Sequence, residues 1–458
     1  MTAESMIHAG DGDAPALLDG ERELTYTQLR QRVDRLRPEL DGLVVLRAHA
    51  DLDSIALYVA CLEAGAPILL LDNDLEDDAV LAIAERYRPR LVAGFERVAP
   101  AGMAPSSVAG FPLPVWRRSE GACETHPELS LLLSTSGSTG SPKLVRLSQD
   151  AVLSNADAIV EGLGITPGDR AITALPYSYT YGLSIINSHL RAGATIVVTD
   201  AAVVSAPFWE AVNTHRVTCL AGVPTTYQLL RRMRWDVSAC PSVRYATQAG
   251  GRLPDADRAH FRDMFAHVGG LFRVMYGQTE ATARITITGP EDLFEEISTA
   301  GRVVTGGTLE TRAPNAAGVG ELWYRGPNVM LGYAEQASDL ARPDDQGGLL
   351  DTGDLGYLAD GRLFLTGRTR RIAKVFGKRV SLDDVDQWLQ AEAGGASVGG
   401  DDGVIVFTTS SDPSALRAGL AAHLHVHPTG VRVVAVDEIP LMANGKVDYQ
   451  ELTQRVKQ

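Results

Sequence analysis

The feature that most constrains the fold is an alternation of apolar strand-like runs with amphipathic helical ones, passed through twice. The first round reads "LTYTQLRQRVDRL", "LDGLVVLRAHA", "SIALYVACLEAG", "APILLLD", "DAVLAIAERYRP" and "RLVAGF". The second reads "AVLSNADAIVEGLG", "RAITALP", "GLSIINSHLRAG", "ATIVVTD", "FWEAVNTHR" and "VTCLAGVP". Such alternation predicts parallel sheets with helices on their faces, and two rounds predict a large α/β domain of two stacked layers.

From about residue 300 the texture changes to short strands broken by Gly, Pro and Asp, as in "GELWYRGPNVMLGY" and "DGRLFLTGR". This predicts a small antiparallel, β-barrel-like section. The segments "RRIAKVFGKRVSLDDVDQWLQAEAG", "GVIVFTT", "SALRAGLAAHL" and "VRVVAV" then predict a compact α+β domain of roughly 90 residues. The expected organisation is a large domain over 1–367, a hinge at 368–371 and a small mobile C-terminal lid domain over 372–458. "GGASVGGDDG" reads as a surface loop.

Charge narrows the partners. With 42 Lys and Arg against 57 Asp and Glu, the formal charge is −15, which disfavours a general nucleic-acid or anionic-membrane surface. The start "MTAESMIHAGDGD" lacks a basic region followed by an apolar one, so no secretory signal is expected and the cytoplasm is the default. The most apolar stretch, "IALYVACLEAGAPILLL", is interrupted by Glu63, Gly65 and Pro67 and reads as a buried helix running into a buried strand. Cys61, Cys123, Cys219 and Cys240 are scattered and read as reduced core thiols.

"LLLSTSGSTGSPKLV", residues 131–145, sits between the strand-like "ELSLLL" and "KLVRLS", so a loop joining two strands fits better than a flexible linker. A P-loop needs G-x-x-x-x-G-K-[S/T] opening a helix, and Gly137, Gly140 and Lys143 have another spacing. The composition still suits phosphate: glycines let the backbone approach an anion, hydroxyls donate, and Lys143 brings charge. A plain polar hairpin is the competing reading.

"STSGSTGSPKLV" resembles the signature loop of the adenylate-forming superfamily, the AMP-binding enzymes that include acyl- and aryl-CoA synthetases, luciferases and peptide-synthetase adenylation domains. Further motifs follow in the superfamily's order: "LTYTQL", "EAGAPILLLD", "VPTTYQLL", "QAGGRL", "MYGQTEAT", "LLDTGDLG", "FLTGRTRRIAKVFGKRVSLDDVD" and "PLMANGKVDY".

The resemblance implies a site. Ser134, Thr135, Ser136, Gly137, Ser138, Thr139, Gly140 and Lys143 would follow the outer phosphates of ATP. Gly250 and Gly251 would line the adenine and acyl pocket, with Tyr276 and Gly277 beside the nucleotide. Thr279 would bond the α-phosphate and Glu280 would ligate Mg²⁺. Asp354 would take both ribose hydroxyls, Arg368 would reach ribose and phosphate, and Lys446 would be the catalytic lysine. Arg370 would be the hinge pivot, where the superfamily places Asp or Lys, and Gly377 would lie by the thiol channel.

The implied reaction is attack of a carboxylate on the α-phosphorus of ATP, then capture of the acyl-adenylate by the thiol of CoA or of a phosphopantetheine on an acyl carrier protein. Tyr177, Tyr179, Tyr181, Asn187, Ala249 and Met275 would form the acyl pocket, of a character suited to a small aryl, hydroxy or short acyl acid. Tyr179 stands where the superfamily often has His, and no Phe-Asp-x-Ser-type segment offers an Asp for an α-ammonium group, which disfavours α-amino acids. Arg284 either pairs with a second acidic group or is an exposed arginine.

Residues 367–379 carry six basic side chains and no acidic one, suited either to CoA phosphates and an acidic carrier-protein helix or to solvent. "HLHVHP" places His423, His425 and His427 on one face if extended, either as a metal site or as a solvated edge. Two rivals to an acid–thiol ligase remain: an adenylating enzyme that serves a carrier protein or a nitrogen nucleophile, and a silent nucleotide-binding protein.

Overall fold

The computed structural model describes residues 5–20, 22–95, 99–134, 143–368, 371–375, 378–400, 403–424, 426–442 and 445–457. These form two compact units, one of residues 5–134, 143–308 and 325–350, the other of 309–324 and 351–457. The expected boundary at 367 falls inside the second unit. The reason is hydrogen bonding: Gly320–Arg325, Leu349–Ala359 and Arg362–Arg368 are successive strands of one four-stranded sheet that begins with Thr308–Arg312.

The first unit holds two large sheets, as the double alternation predicts. The eight-stranded one has Ile68–Leu71 between Val44–Arg47 and Leu129–Ser134, all parallel, and its edges turn antiparallel, with Leu144–Ser148 beside Leu129–Ser134. The nine-stranded one has Tyr245–Gln248 parallel to both Cys219–Gly222 and Leu271–Tyr276.

Helix Leu52–Ala64 touches strands of both sheets, Pro15–Asp19 in one and Val44–Arg47, Ile68–Leu71 and Leu129–Ser134 in the other. A helix covered on every side must be apolar on every side. Every residue from Leu52 to Leu62 is accordingly buried, and each large aliphatic side chain there contributes about 1.5–3 kcal/mol. Asp51 caps its start by accepting from the Ser54 amide, and Gly65, at φ 66°, ends it in the left-handed region that glycine enters without strain. The fully buried strand Ile68–Leu71 follows, so the helix-into-strand expectation holds.

In the second unit, hairpin Ile372–Val375 and Lys378–Ser381 precedes helix Leu382–Glu392 and a three-stranded sheet of Ala396–Gly399, Val404–Thr408 and Val431–Ala435. "GGASVGGDDG" is therefore not simply a loop: Ala396–Gly399 is a strand with Ser397 fully buried. Serine is tolerated there because its hydroxyl meets Asp386 Oδ1 at 2.6 Å and the Leu382 carbonyl at 3.0 Å. Nor is "HLHVHP" extended, since His423 ends helix Pro413–His423 and stacks on Trp388, while His427 Nδ1 meets Thr429 Oγ1 at 2.8 Å. His425 lies outside the described residues. Cys61, Cys219 and Cys240 are buried free thiols and Cys123 is half-buried. Among the described residues, no helix is long and apolar enough to cross a membrane.

Candidate active site

The Ser/Thr/Gly stretch is flanked as expected by two antiparallel neighbours, with Leu133 opposite Val145 and the exposed Ser134 opposite Leu144. Thr135, Ser136, Gly137, Ser138, Thr139 and Gly140 lie outside the described residues, as do Arg370 and Gly377. Just beyond, Lys143 Nζ pairs with Glu335 Oε1 at 2.9 Å and stands 5.7 Å from the Tyr333 ring centroid.

Residues 331–345 are held against this strand pair by Arg146, whose side chain is fully buried. Its Nη2 donates to Asp345 Oδ2 at 2.8 Å and to the carbonyls of Leu331 at 2.9 Å and Pro343 at 3.2 Å. A buried guanidinium is tolerated when carboxylate and carbonyls replace its hydration, as here.

The second cluster is the turn after strand Leu271–Tyr276. Gly277 packs so tightly that a Cβ there would stand 1.8 Å from the Ala283 carbonyl oxygen, so no other residue fits. The tight helical turn Thr279–Ala281 follows. Thr279 Oγ1 lies 2.8 Å from Thr180 Oγ1, and Glu280 Oε1 accepts from the Tyr333 hydroxyl at 2.8 Å. The segment 328–333 holds this turn further: Asn328 Nδ2 donates to the Ala281 carbonyl at 2.8 Å and the Met330 amide to the Glu280 carbonyl at 2.9 Å. Thr180, Tyr333 and Asn328 were not singled out from the sequence, because each acts across a long stretch of chain.

The half-buried Glu280 offers a single carboxylate, and among the described residues no group of three His, Cys, Asp or Glu could hold a metal. Mg²⁺ retains water readily and is often bound by one or two carboxylates together with substrate phosphates, so this donor set fits it. Nearby in sequence to the nine-stranded sheet's Tyr245–Gln248, Gly250 takes φ 84°, which favours glycine, and a Cβ on Gly251 would come within 3.2 Å of Pro224 Cγ. Gln248 Nε2 donates to the Gly251 carbonyl at 2.9 Å and shapes this turn.

The six expected pocket residues divide. Tyr181 donates its hydroxyl to the Thr247 carbonyl at 2.7 Å, and its ring meets Tyr179 edge-on at 6.5 Å between centroids. Burial pushes its phenol well above the ordinary range. Ala249, also buried, lies two residues beyond Thr247, and Met275 Sδ accepts from Arg284 Nε at 3.3 Å. Asn187 instead accepts from the Tyr58 hydroxyl at 2.9 Å, and Tyr177 sits near Asp51, Ser54 and Tyr58. These two belong with the buried helix Leu52–Ala64.

Of the two readings of Arg284, the exposed arginine is corrected: the residue is 3% exposed. Its guanidinium lies 4.3 Å from the Tyr181 ring centroid and donates from Nη2 to Ser184 Oγ at 3.2 Å. The cause is backbone geometry, since Thr282 at φ 57° and Ala283 at φ 152° redirect the chain inward.

In the second unit, Asp354 and Arg368 are directly opposed on antiparallel strands, and Arg368 Nε donates to Asp354 Oδ1 at 2.9 Å. Lys446 stands in a tight turn closed by the pair Leu441 and Val447, in which the Met442 amide donates to the Lys446 carbonyl at 2.7 Å and Gly445 takes φ 76°. Arg371, one of the six basic residues of 367–379, is engaged internally: it pairs with Asp383 and with Asp386 at 2.9 Å and lies 3.9 Å from the Tyr449 ring centroid.

The AMP-binding enzyme family model matches residues 7–334, and the chain belongs to that family. It is 28% identical to the L-proline:L-prolyl-carrier protein ligase of Streptomyces coelicolor over 94% of this chain and 92% of that protein. It is 27% identical to the indoleacetate–CoA ligase of Aromatoleum aromaticum over 98% of this chain and 96% of that one. Other relatives are far longer: the chain spans 12% of a hybrid PKS-NRPs synthetase of Penicillium oxalicum, to which it is 28% identical over 97% of its own length. It spans 40% of a mycobacterial phenyloxazoline synthase. The o-succinylbenzoate CoA synthetase of Bacillus subtilis, solved with its acyl-adenylate, shares the fold with a TM-score of 0.76 at 22% identity, over 96% of this chain and 95% of that one.

Proposed function

We propose that this chain activates a small carboxylic acid with ATP, releasing pyrophosphate, and transfers the acyl group from its adenylate to a pantetheine thiol. The observation that carries this reading is the Tyr276–Glu280 turn, where Gly277 admits no side chain and Thr180 and Tyr333 orient Thr279 and Glu280.

Adenylation needs little covalent chemistry from the protein. The carboxylate oxygen forms a bond to the α-phosphorus while the bond to pyrophosphate breaks, so positioning and positive charge do most of the catalysis. Thr279 donates to the α-phosphate. Glu280 would hold Mg²⁺, which would supply positive charge against that accumulating on the phosphates. Residues 134–143 follow the departing pyrophosphate, Asp354 and Arg368 hold the ribose, and Lys446 spans the acid and the α-phosphate. For the second step the lid rotates about Arg370, withdrawing Lys446 and presenting the Gly377 face to the thiol.

The relatives include a carrier-protein ligase and a CoA ligase, so either acceptor suits this reading. Radiolabelled pyrophosphate exchange over a panel of acids, followed by thioester assays with CoA and with a phosphopantetheinylated carrier protein, tests it. Exchange with at least one acid is expected; nucleotide binding without exchange for any acid would leave only a silent binding protein.

A further inference from the structure

Beside Tyr181 and Met275, two of the expected acyl-pocket residues, lies a cation with no carboxylate. Arg284 is buried in the first unit, and among the described residues no Asp or Glu pairs with it. Its side-chain partners are Met275 Sδ at 3.3 Å, Ser184 Oγ at 3.2 Å and the carbonyl of Ala283 at 3.2 Å. These three bonds use three of the five N–H donors that a guanidinium carries. Buried arginines of the same unit are met in two ways: Arg118 and Arg273 also form no ion pair among the described residues and donate to the carbonyls of Pro89, Ala101 and Gly162, whereas two others have a carboxylate. Arg146, equally buried, has Asp345, and Arg191 has Asp157, whose oxygens its Nε and Nη2 meet at 2.7 and 3.1 Å.

The site is also built rather than incidental. The Arg284 amide donates to Asn155 Oδ1 at 3.3 Å, and its carbonyl accepts from Asn155 Nδ2 and Asn328 Nδ2, both at 3.0 Å. Ahead of it, Thr282 and Ala283 hold positive φ, a strained arrangement for residues with side chains. The guanidinium is thereby set among Tyr181, Ser184 and Met275, two of them expected pocket residues. Burying an ion is costly unless a counter-charge meets it, and an enzyme that leaves the counter-charge to its substrate gains selectivity from that same cost.

We infer that Arg284 holds a second carboxylate of the substrate, so that the acid activated is a dicarboxylic acid. This rests on the adenylation reading for its chemistry and adds the substrate class. One carboxylate reacts at the α-phosphorus; the other accepts from Arg284 and Ser184 at the far end of the pocket. A neutral group of the same size leaves the arginine unmatched and is rejected.

The test compares succinate, glutarate and phthalate with butyrate, pentanoate and benzoate in pyrophosphate exchange, using the full chain. The expected result is a kcat/KM at least tenfold higher for a diacid than for its monoacid partner. Arg284→Met should then cut the diacid value about a hundredfold and raise the monoacid value, because the unmatched charge that rejects it is gone, and Arg284→Lys, which keeps the charge, should fall between. Monoacid preference in the wild type, or equal losses for both classes in a folded Arg284→Met, overturns the proposal. Calorimetric binding of the same acids with AMP present separates the two readings. Diacid binding that Arg284→Met abolishes upholds Arg284 even if no acid supports exchange, in which case adenylation alone falls; absence of diacid binding and exchange overturns the role of Arg284.

Discussion

Arg368 Nε meets Asp354 Oδ1 at 2.9 Å from the position directly opposite on the neighbouring strand. The carboxylate side chain is 8% exposed and the arginine 60%, so a buried acceptor is oriented by a donor that reaches solvent. Because one partner is exposed, the pair contributes no more than about 1 kcal/mol to folding. In the proposed function its value would lie in presenting a fixed carboxylate to a vicinal diol.

Asp354→Ala is therefore expected to raise the KM for ATP in pyrophosphate exchange about a hundredfold, while thermal unfolding changes little. Arg368→Ala should weaken ATP by about tenfold, since one charge-assisted hydrogen bond is worth roughly 1.5–3 kcal/mol. A double variant no worse than Asp354→Ala alone would show that the arginine acts through the carboxylate; full additivity would show that it does not.

Glu280 and Tyr333 separate charge from orientation. Glu280→Gln removes the charge that would hold Mg²⁺ in the proposed function and should lower exchange by about 10²–10³ and raise the Mg²⁺ needed for half-maximal rate. Tyr333→Phe keeps the carboxylate and loses one hydrogen bond, so a loss of about tenfold is expected with the Mg²⁺ dependence nearly unchanged. A magnesium titration of both variants distinguishes them.

Lys446→Ala should abolish adenylate formation and largely spare thioester formation from a supplied acyl-adenylate, because the proposed function has the lysine serve the bond to phosphorus and not the thiol. Single-turnover assays of the two half-reactions check this. Equal loss in both would contradict the assigned role.

Where chemistry is written in neighbouring residues, the sequence was legible. The strands Leu129–Ser134 and Leu144–Ser148 depend on local spacing, and the structure describes that pair as expected. Partners distant along the chain were not visible: Arg146 finds Asp345 across 199 positions and Glu280 finds Tyr333 across 53. The exposed reading of Arg284 fails for a different reason. Charge argues for solvent, and neither the positive φ of Thr282 and Ala283 nor the backbone bonds to Asn155 and Asn328 that accompany the inward turn can be read from the sequence. Ser397 misled similarly, because a polar residue in a Gly-rich stretch signals a loop unless a buried Asp386 is there to satisfy it. His423 shows the converse, an alternating pattern that a helix cut short.

His189 supplies a prediction that concerns folding rather than catalysis. It is 1% exposed on helix Thr180–Arg191, with Nδ1 2.9 Å from the Ile185 carbonyl and Nε2 3.4 Å from the Tyr245 hydroxyl. A neutral ring donating from Nδ1 and accepting at Nε2 satisfies both. Burial pulls its pKa down from 6.5 to about 4, with the Ile185 carbonyl and Asp169 opposing the shift. Between those values the unfolded chain binds the proton and the folded one does not, so stability is complete above about pH 6.5 and declines as the pH falls toward 4. The full drop is about 3 kcal/mol from this group, at about 1.4 kcal/mol per pKa unit. His189→Gln keeps a neutral donor and acceptor and should flatten the wild-type loss of stability across this window in denaturant titrations. The ring resonance of His189 should also remain that of the neutral form at pH values where exposed histidines are protonated; a midpoint near the ordinary 6.5 would refute the buried, neutral assignment.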